Sequence, residues 1–170
     1  MILKTDRLIL RPQAMADAAD LFAILRDSEA MRFWSRPAIT RLAVVEELIR
    51  EQQAAMNQGL CRYWTMHSNG HAIGSVDLSL IQEASAELGF MLRSDHWGAG
   101  LASEAVEAVI AHAFDALRLA RLAAVAQSAN RAALRVLEKN GFALIETRPV
   151  LIADGQRKDC AFYLLTRESL

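Results

Sequence analysis

The stretch that decides the fold is residues 90–105, which read FMLRSDHWGAGLASEA. It opens on strand-like apolar residues, passes through Gly98 and Gly100, and continues as a helical pattern directly after Gly100. The first turn of a helix has N–H groups without intrahelical partners, and the helix dipole adds partial positive charge there. Because glycines have no side chain, they let this backbone approach an anion closely. The segment therefore predicts a phosphate-binding turn between a strand and a helix.

Neither of the two common nucleotide fingerprints fits this turn. The dinucleotide fingerprint needs Gly or Ala at position 103, which is Ser103, and an acidic residue roughly twenty positions on, where Arg118 and Leu119 stand. The P-loop fingerprint needs a Gly-Lys-Ser/Thr sequence that does not follow. A lone Gly-x-Gly also occurs where the start of a helix needs only flexible residues, so the turn by itself leaves the ligand open.

The segments on either side of this turn alternate between strand and helix patterns. Strands are predicted at 7–12, 62–68, 72–81, 86–93, 122–126, 142–147 and 159–166. Helices are predicted around 21–25, at 40–59, after Gly100 and at 130–140. The turn signals are Asn69-Gly70 in a hairpin, Gly141 after the last helix, and a polar turn at Asp154-Gly155. This order predicts a mixed α/β sheet in a single domain spanning residues 1–170.

Composition narrows the class of protein. Hydrophobic residues make up 53% of the chain and charged residues 23%, which favours a globular protein over a disordered one. A net charge of -1 provides no basic field for nucleic acid, and no apolar run reaches the ~20 residues of a membrane span. The first seven residues do not read as a signal peptide, and Cys61 and Cys160 have no disulfide or metal spacing. These features predict a cytoplasmic protein with no nucleic-acid or membrane partner.

Several segments, which follow one another in the same order and at the same spacing along nearly the whole chain, resemble the GNAT superfamily of acyl-CoA-dependent N-acyltransferases. The glycine turn is similar to that family's acyl-CoA loop in the variant W-G-x-G-x-x-S/T-E-A, here starting at Trp97. Residues 5–12 and 86–90 look like the opening and central strands of one branch, and residues 130–142 look like its N-x-x-S-x-x-x-L-E-K-x-G-F signature. That branch is the one related to ribosomal-protein alanine and serine N-terminal acetyltransferases (RimJ/RimL-like).

The resemblance implies a fold and a reaction. The fold is the GNAT fold, α/β in class (α+β mixed), with a single, mostly antiparallel twisted sheet of about seven strands, a central splay and about four flanking helices. The reaction is transfer of an acetyl group from acetyl-CoA to a primary amine by direct attack, without a covalent enzyme intermediate and without a metal. The alternative is a catalytically weak acyl-CoA-binding sensor or interaction module on the same fold. The chain is expected to be a monomer or a homodimer.

The resemblance also implies which residues bind the co-substrate. Backbone amides of residues 97–102 are expected to hold the pyrophosphate, and the strand at 90–92 is expected to pair with the pantetheine arm. Asn130 is expected to hydrogen-bond that arm, with a plain helix N-cap as the alternative. The full set of expected cofactor-binding residues is Phe90, Met91, Leu92, His96, Trp97, Gly98, Ala99, Gly100, Leu101, Ala102, Ser103 and Asn130.

Glu87 is the candidate general base, because the family often has a carboxylate facing the acceptor channel on the strand before the glycine turn. A solvent-facing strand residue is the alternative for Glu87. Asp77 alternates with apolar residues and is a second carboxylate for the same channel. Glu104, in the first helical turn, is expected to have a structural role beside the helix N-terminus.

Two positions depart from the family pattern. The Ser of the N-x-x-S signature is Ala133, and the Tyr found in many other GNAT enzymes is Leu137. Both positions can serve the departing CoA thiolate, so its proton donor is left unassigned, with solvent or Asn130 as alternatives. The acceptor pocket is expected from the N-terminal helices and the Phe33-Trp34 loop. Ribosomal-protein N-termini, amino acids, polyamines and aminoglycoside-like amines all remain open as acceptors.

Overall fold

The computed structural model describes residues 1–153 and 155–169, which contain eight strands and four α-helices. The strands are β1 (Leu3–Lys4), β2 (Ile9–Pro12), β3 (Arg62–Ser68), β4 (His71–Gln82), β5 (Ser85–Leu92), β6 (Arg121–Gln127), β7 (Ala143–Leu151) and β8 (Arg157–Thr166). The helices are α1 (Ala18–Leu25), α2 (Leu42–Asn57), α3 (Leu101–Ala111) and α4 (Arg131–Lys139). Short 3₁₀ turns lie at Met15–Asp17, Ser94–His96 and Arg167–Ser169, and a π-helical turn, His112–Ala116, follows α3.

The strands form one sheet in the order β1-β2-β3-β4-β5-β6-β8-β7. Neighbouring strands are antiparallel except β5 and β6, which are parallel. A parallel pair needs a long crossover, and α3 provides it while packing against β4 and β5. The predicted mixed, mostly antiparallel sheet with four helices is therefore confirmed. The sheet has one strand more than predicted, because Leu3–Lys4 forms a short additional strand beside β2.

Helices cover both faces of the sheet, and β5 contributes to both cores. Leu88 and Leu92 pack into a cluster with residues of α3 and α4, whereas Met91 packs into a second cluster with residues of α1 and α2. Because side chains alternate along a strand, odd-numbered residues of β5 face α1 and α2, and even-numbered residues face α3 and α4. Glu87 is odd-numbered, so its side chain lies on the face that α1 and α2 cover.

The pairing of β5 with β6 is unusually short. It joins only Ser85 with Arg121, Ala86 with Leu122, and Glu87 with Ala123. Beyond these pairs β5 remains bound to β4 as far as Leu92, and β6 remains bound to β8 as far as Gln127. The two strands therefore separate after Glu87, which is the central splay that the family resemblance implies.

Some boundaries differ from the predicted ones. The last helix begins at Arg131, with Asn130 as its N-cap, and β7 extends to Leu151 rather than ending at 147. β7 is one of the two edge strands of the sheet, and nearly all its residues are exposed, so no alternation of apolar residues marks its end. Asp154, half of the predicted polar turn, lies outside the described residues.

The same substitution at two leucines should measure how much β6 contributes to the core. Leu122 of β6 is fully buried, whereas Leu144 of the outer strand is 55% exposed. We expect Leu122→Ala to lower the free energy of unfolding by about 2–5 kcal/mol, because it leaves a cavity between the sheet and α3. Leu144→Ala should change it by no more than about 0.5 kcal/mol. Denaturant unfolding of both variants checks this, and equal losses would contradict the arrangement.

Candidate active site

A cleft opens where β5 and β6 separate, with a volume of about 450 Å³. Residues 88–91 line one side and residues 124–127 line the other. The edges of these two strands face each other here without the ladder hydrogen bonds that join residues 85–87 to residues 121–123. Backbone N–H and C=O groups need partners, so such an edge can accept an extended ligand as an added strand.

The loop between α1 and α2 closes one end of this cleft. Phe33, Trp34, Ser35 and Arg36 line the cavity, together with residues of α2. The carbonyl of Phe33 accepts a hydrogen bond from Gln127 Nε2 at 3.0 Å, and the carbonyl of Ser35 accepts one from the Ala153 backbone N–H at 3.2 Å. The loop is thereby tied to β6 and to the connection between β7 and β8. The predicted Phe33-Trp34 loop thus lies at the cleft.

The glycine turn follows directly at the end of β5. Gly98 and Gly100 have φ angles of +76° and +79°, a conformation that residues with a Cβ rarely adopt. Apart from Gly98 itself and its two chain neighbours, no residue has an atom within 4 Å of the position that a Cβ on Gly98 would take, so the backbone is open to a ligand there. The Trp97 indole N–H donates to the Leu92 carbonyl at 2.8 Å and holds the turn against β5. Helix α3 begins at Leu101, so its first N–H groups lie at this turn.

An ion pair that the sequence did not reveal ties the N-terminal segment to this turn. Glu104 accepts hydrogen bonds from the Arg7 backbone N–H at 2.9 Å, from Arg7 Nε at 2.6 Å and from the Thr5 hydroxyl. Burial alone would raise the pKa of Glu104, but these hydrogen bonds outweigh it and the pKa lies below its ordinary value. Glu104 therefore has the structural role expected of it.

Arg7 also brings a cation to the rim of the glycine turn. Its Nη1 donates to the Ala99 carbonyl at 2.8 Å, and its Nη2 lies 3.6 Å from where a Cβ on Gly100 would stand. The Arg7 side chain is half exposed, so it remains accessible to a bound anion. Residues 7 and 100 are too far apart in sequence for any local pattern to predict this contact.

Most of the other predicted cofactor-binding residues are buried or partly buried, and His96 lies beside the turn. The side chains of Met91, Leu92, Leu101 and Ser103 are buried, and the Ser103 hydroxyl accepts a hydrogen bond from Asn140 Nδ2 at 3.0 Å. Phe90 and Ala102 are partly buried against the same core. Because these side chains are buried or partly buried, a ligand would contact the backbone of these residues. The His96 ring nitrogen Nδ1 lies 2.7 Å from Asp95 Oδ1, beside the turn.

Asn130 occupies the position where the cleft meets α4. Its side-chain oxygen accepts a hydrogen bond from the Ala133 backbone N–H at 3.2 Å, so it caps the helix. Asn130 also lines the cleft, as do Ala133 and Leu137, the two apolar departures from the family pattern. Helix capping uses only the carboxamide oxygen, which leaves the carboxamide nitrogen available to donate.

Two carboxylates lie on the cleft side of the sheet. Asp77 is opposite Gly89 and Glu87 is opposite Ser79 in the pairing of β4 with β5, so the two acids are diagonal neighbours on one face. Both line the cleft. Burial and the nearby Glu87 raise the pKa of Asp77 to about 7, and burial raises the pKa of Glu87. Glu87, the predicted base, thus lies at the vertex of the splay, next to a second acid.

Other chemistry finds little support among the described residues. Residues 1–153 and 155–169 contain no cluster of three His, Cys, Asp or Glu side chains that would hold a metal ion. Cys61 and Cys160 are both free and buried, and burial raises the pKa of each thiol, which disfavours a nucleophilic thiolate. None of the helices in the described part of the chain is long and apolar enough to span a membrane.

Comparison with known proteins gives the family. The model of the acetyltransferase (GNAT) domain family matches residues 7–143. The chain is 30% identical over 145 residues to the uncharacterized N-acetyltransferase YoaA of Bacillus subtilis, covering 83% of this chain and 82% of that protein.

Solved structures share the fold. The ribosomal L7/L12 α-N-protein acetyltransferase RimL in complex with coenzyme A superimposes with a TM-score of 0.89 at 16% identity, over 100% of both chains. RimJ of Mycobacterium smegmatis, in complex with CoA-disulfide, superimposes with a TM-score of 0.87 at 24% identity, over 96% of this chain and 83% of that one. The splayed sheet, the glycine turn and a family match that spans most of the chain have one explanation: this protein belongs to the GNAT acetyltransferase family and is an acyltransferase.

Proposed function

We propose that the protein transfers an acetyl group from acetyl-CoA to a primary amine by direct attack, without a covalent enzyme intermediate. The observation that carries this proposal is the cleft between β5 and β6, which two carboxylates line and which lies on the strand that leads into an exposed glycine turn at a helix N-terminus. In this proposal residues 1–170 form a single N-acetyltransferase domain that acts in the cytoplasm as a monomer or homodimer. It needs no metal.

The proposed donor site uses the backbone more than side chains. N–H groups of residues 97–102 bind the pyrophosphate, where the start of α3 adds partial positive charge and Arg7 adds a full one. The unpaired edge of β5 at residues 90–92 binds the pantetheine arm as an added strand. The coenzyme A bound to RimL and the CoA-disulfide bound to RimJ, which share this fold, support the same class of donor.

The proposed chemistry follows from the position of Glu87. An amine must be neutral to attack, and a lysine-type amine with a pKa near 10.4 is almost entirely charged at pH 7. Glu87 lies at the vertex of the splay and is half-buried, so its carboxylate is the base that takes a proton from the attacking nitrogen. In this proposal the Asn130 carboxamide nitrogen contacts the pantetheine arm or the departing thiolate, because Asn130 lines the cleft.

A second candidate function rests on Ala133 and Leu137. Both line the cleft close to Asn130, and neither has a proton to give to a thiolate. A chain of this kind binds acyl-CoA and acts as a sensor or interaction module with little turnover. A CoA-release assay against a panel of primary amines and short peptides distinguishes the two functions, because only the enzyme releases CoA faster than background hydrolysis.

The glycine turn should be essential for CoA binding. We expect Gly98→Val and Gly100→Val each to abolish the stabilisation that CoA gives, which is about 2.7 kcal/mol at a hundredfold excess over Kd. Gly59→Val is the matched control, since Gly59 at the end of α2 has a φ of +80° and the same backbone cost without the proposed ligand. Thermal shift with and without CoA measures this. Loss of the CoA shift in the Gly59 variant as well, or stabilisation by NAD and not by CoA, would contradict the site.

Arg7 should contribute one charge to donor binding. We expect Arg7→Ala to raise the Kd for CoA roughly tenfold, because it removes a charge-assisted hydrogen bond from the phosphates. Arg50→Ala is the matched control, because Arg50 is also exposed and paired with a glutamate at 2.6 Å, but on α2. Isothermal titration at two salt concentrations measures both. An unchanged Kd for Arg7→Ala would assign Arg7 a purely structural role.

Glu87→Gln keeps the size of the side chain and removes its basic group. We expect kcat/KM for the preferred amine to fall by about 10²–10⁴-fold, with CoA affinity nearly unchanged. Glu107→Gln, on the exposed surface of α3, is the control and should keep wild-type activity. Steady-state kinetics at pH 7 decide the matter, and full activity of Glu87→Gln would remove Glu87 from the mechanism.

A further inference from the structure

The acetyl-transfer reaction releases more protons than one carboxylate accounts for. A primary ammonium carries three protons on nitrogen, and the amide product carries one, so two protons leave the nitrogen. As the nitrogen–carbon bond forms, the carbon–sulfur bond of the thioester breaks and the sulfur leaves with the electron pair. One released proton ends on that sulfur to give the CoA thiol, and the other must reach solvent. The nitrogen therefore needs a proton acceptor at two separate stages.

Asp77 is the second carboxylate at the place where this need arises. It lies on β4, on the same face of the sheet as Glu87, and lines the same cleft. Its carboxylate occupies the space that the missing side chain of Gly89 leaves: a Cβ on Gly89 would lie 2.8 Å from Asp77 Oδ1. No Arg, Lys or His among the described residues forms an ion pair with either acid. No basic side chain among the described residues therefore neutralises the negative charges of Asp77 and Glu87 through an ion pair.

The other titratable groups around Asp77, one of them a cation, form no ion pair with it. The titratable neighbours are Glu87 on β5, Tyr63 on β3, Cys61 just before β3, and Arg36 of the α1–α2 loop, which lines the cleft. Burial, followed by the charge of Asp77, raises the pKa of Tyr63 to about 12, so Tyr63 stays neutral. The uncharged polar residues that line the cleft include Gln13, Gln52, Ser75 and Ser79.

We propose that Asp77 is a second proton acceptor of this active site, which takes the first proton from the bound ammonium, while Glu87 takes the proton released during attack. This inference rests on the proposed acetyl transfer. In the first stage the Asp77 carboxylate becomes a carboxylic acid and the ammonium becomes a neutral amine. Burial favours this exchange, because it replaces two desolvated charges by none. Asp77 then passes its proton to solvent, which restores the carboxylate for the next turnover.

The proposal predicts that Asp77 matters only for acceptors that arrive protonated. Ethylamine is protonated at pH 7, whereas 2,2,2-trifluoroethylamine has nearly the same shape and is neutral, because its fluorines withdraw charge from the nitrogen. We expect Asp77→Asn to lower kcat/KM for ethylamine by about 10²-fold or more at pH 7, and to leave kcat/KM for trifluoroethylamine within about threefold of wild type. Glu87→Gln should lower both values. Asp115→Asn, at an exposed aspartate after α3, is the matched control and should lower neither.

Two further measurements separate this role from a structural one. Gly89→Ala retains both acids but displaces the Asp77 carboxylate, so it should reproduce the loss with ethylamine and spare trifluoroethylamine. Since Asp77 must be ionised to act, wild-type kcat/KM for ethylamine should rise with pH through an apparent pKa near 7. Removing the charge of Glu87 lowers the pKa of Asp77, so Glu87→Gln should move this rise to lower pH.

The outcomes distinguish a failure of the proposed role of Asp77 from a failure of the proposed acetyl transfer. An equal loss with both amines in Asp77→Asn, or a rise of activity with pH that Glu87→Gln leaves in place, overturns the role of Asp77 while acetyl transfer stands. If the wild type acetylates neither amine nor any member of the wider panel, although it binds CoA, the proposed function fails and the inference fails with it. CoA binding by each variant, measured by isothermal titration, confirms that the fold is intact.

Discussion

The short parallel pairing of β5 with β6 is the constraint on which the rest of this structure depends. Three residue pairs hold the two strands together, and the strands then part because each continues with its antiparallel neighbour on the other side. A sheet edge in the middle of a protein would ordinarily leave backbone groups unpaired. Here the unpaired edges form the walls of a cleft. The glycine turn and Glu87 take their positions from β5, and Asp77 takes its position from β4, which pairs with β5.

Long-range contacts fix the shape of that cleft. Glu104 joins the N-terminal segment to the start of α3 through Arg7, and the Phe33 and Ser35 carbonyls join the α1–α2 loop to Gln127 and Ala153. The contacts of the α1–α2 loop bridge the two sides of the splay, whereas the Glu104 contacts hold the N-terminal segment to the helix that follows β5. Separate contacts therefore hold the glycine turn, at the proposed donor end, and the α1–α2 loop, at the proposed acceptor end.

The sequence predicted those features that depend on local pattern. The glycine turn, the start of α3, the Asn69-Gly70 hairpin and the order of strands all follow from spacing within a few residues, and the resemblance added the splay. The Arg7–Glu104 pair was not predictable, because it joins residues 97 positions apart. The partnership of Asp77 with Glu87 depends on the register of β4 against β5, and the register shifts between Ser79 and Gln82. Alternation along each strand suggested a common channel, but only the pairing places the two acids side by side.

The exposed outer strand has a consequence for behaviour at high concentration. β7 presents Leu144, Ile145 and Leu151 to solvent, and an apolar edge of this kind can template aggregation. Pro149 lies within the same strand, and proline is compatible with an edge position but not with the interior of a sheet. A second chain that paired with β7 would turn it into an interior strand that contains a proline. Pro149 therefore opposes edge-to-edge polymerisation on a strand that exposes three large apolar side chains.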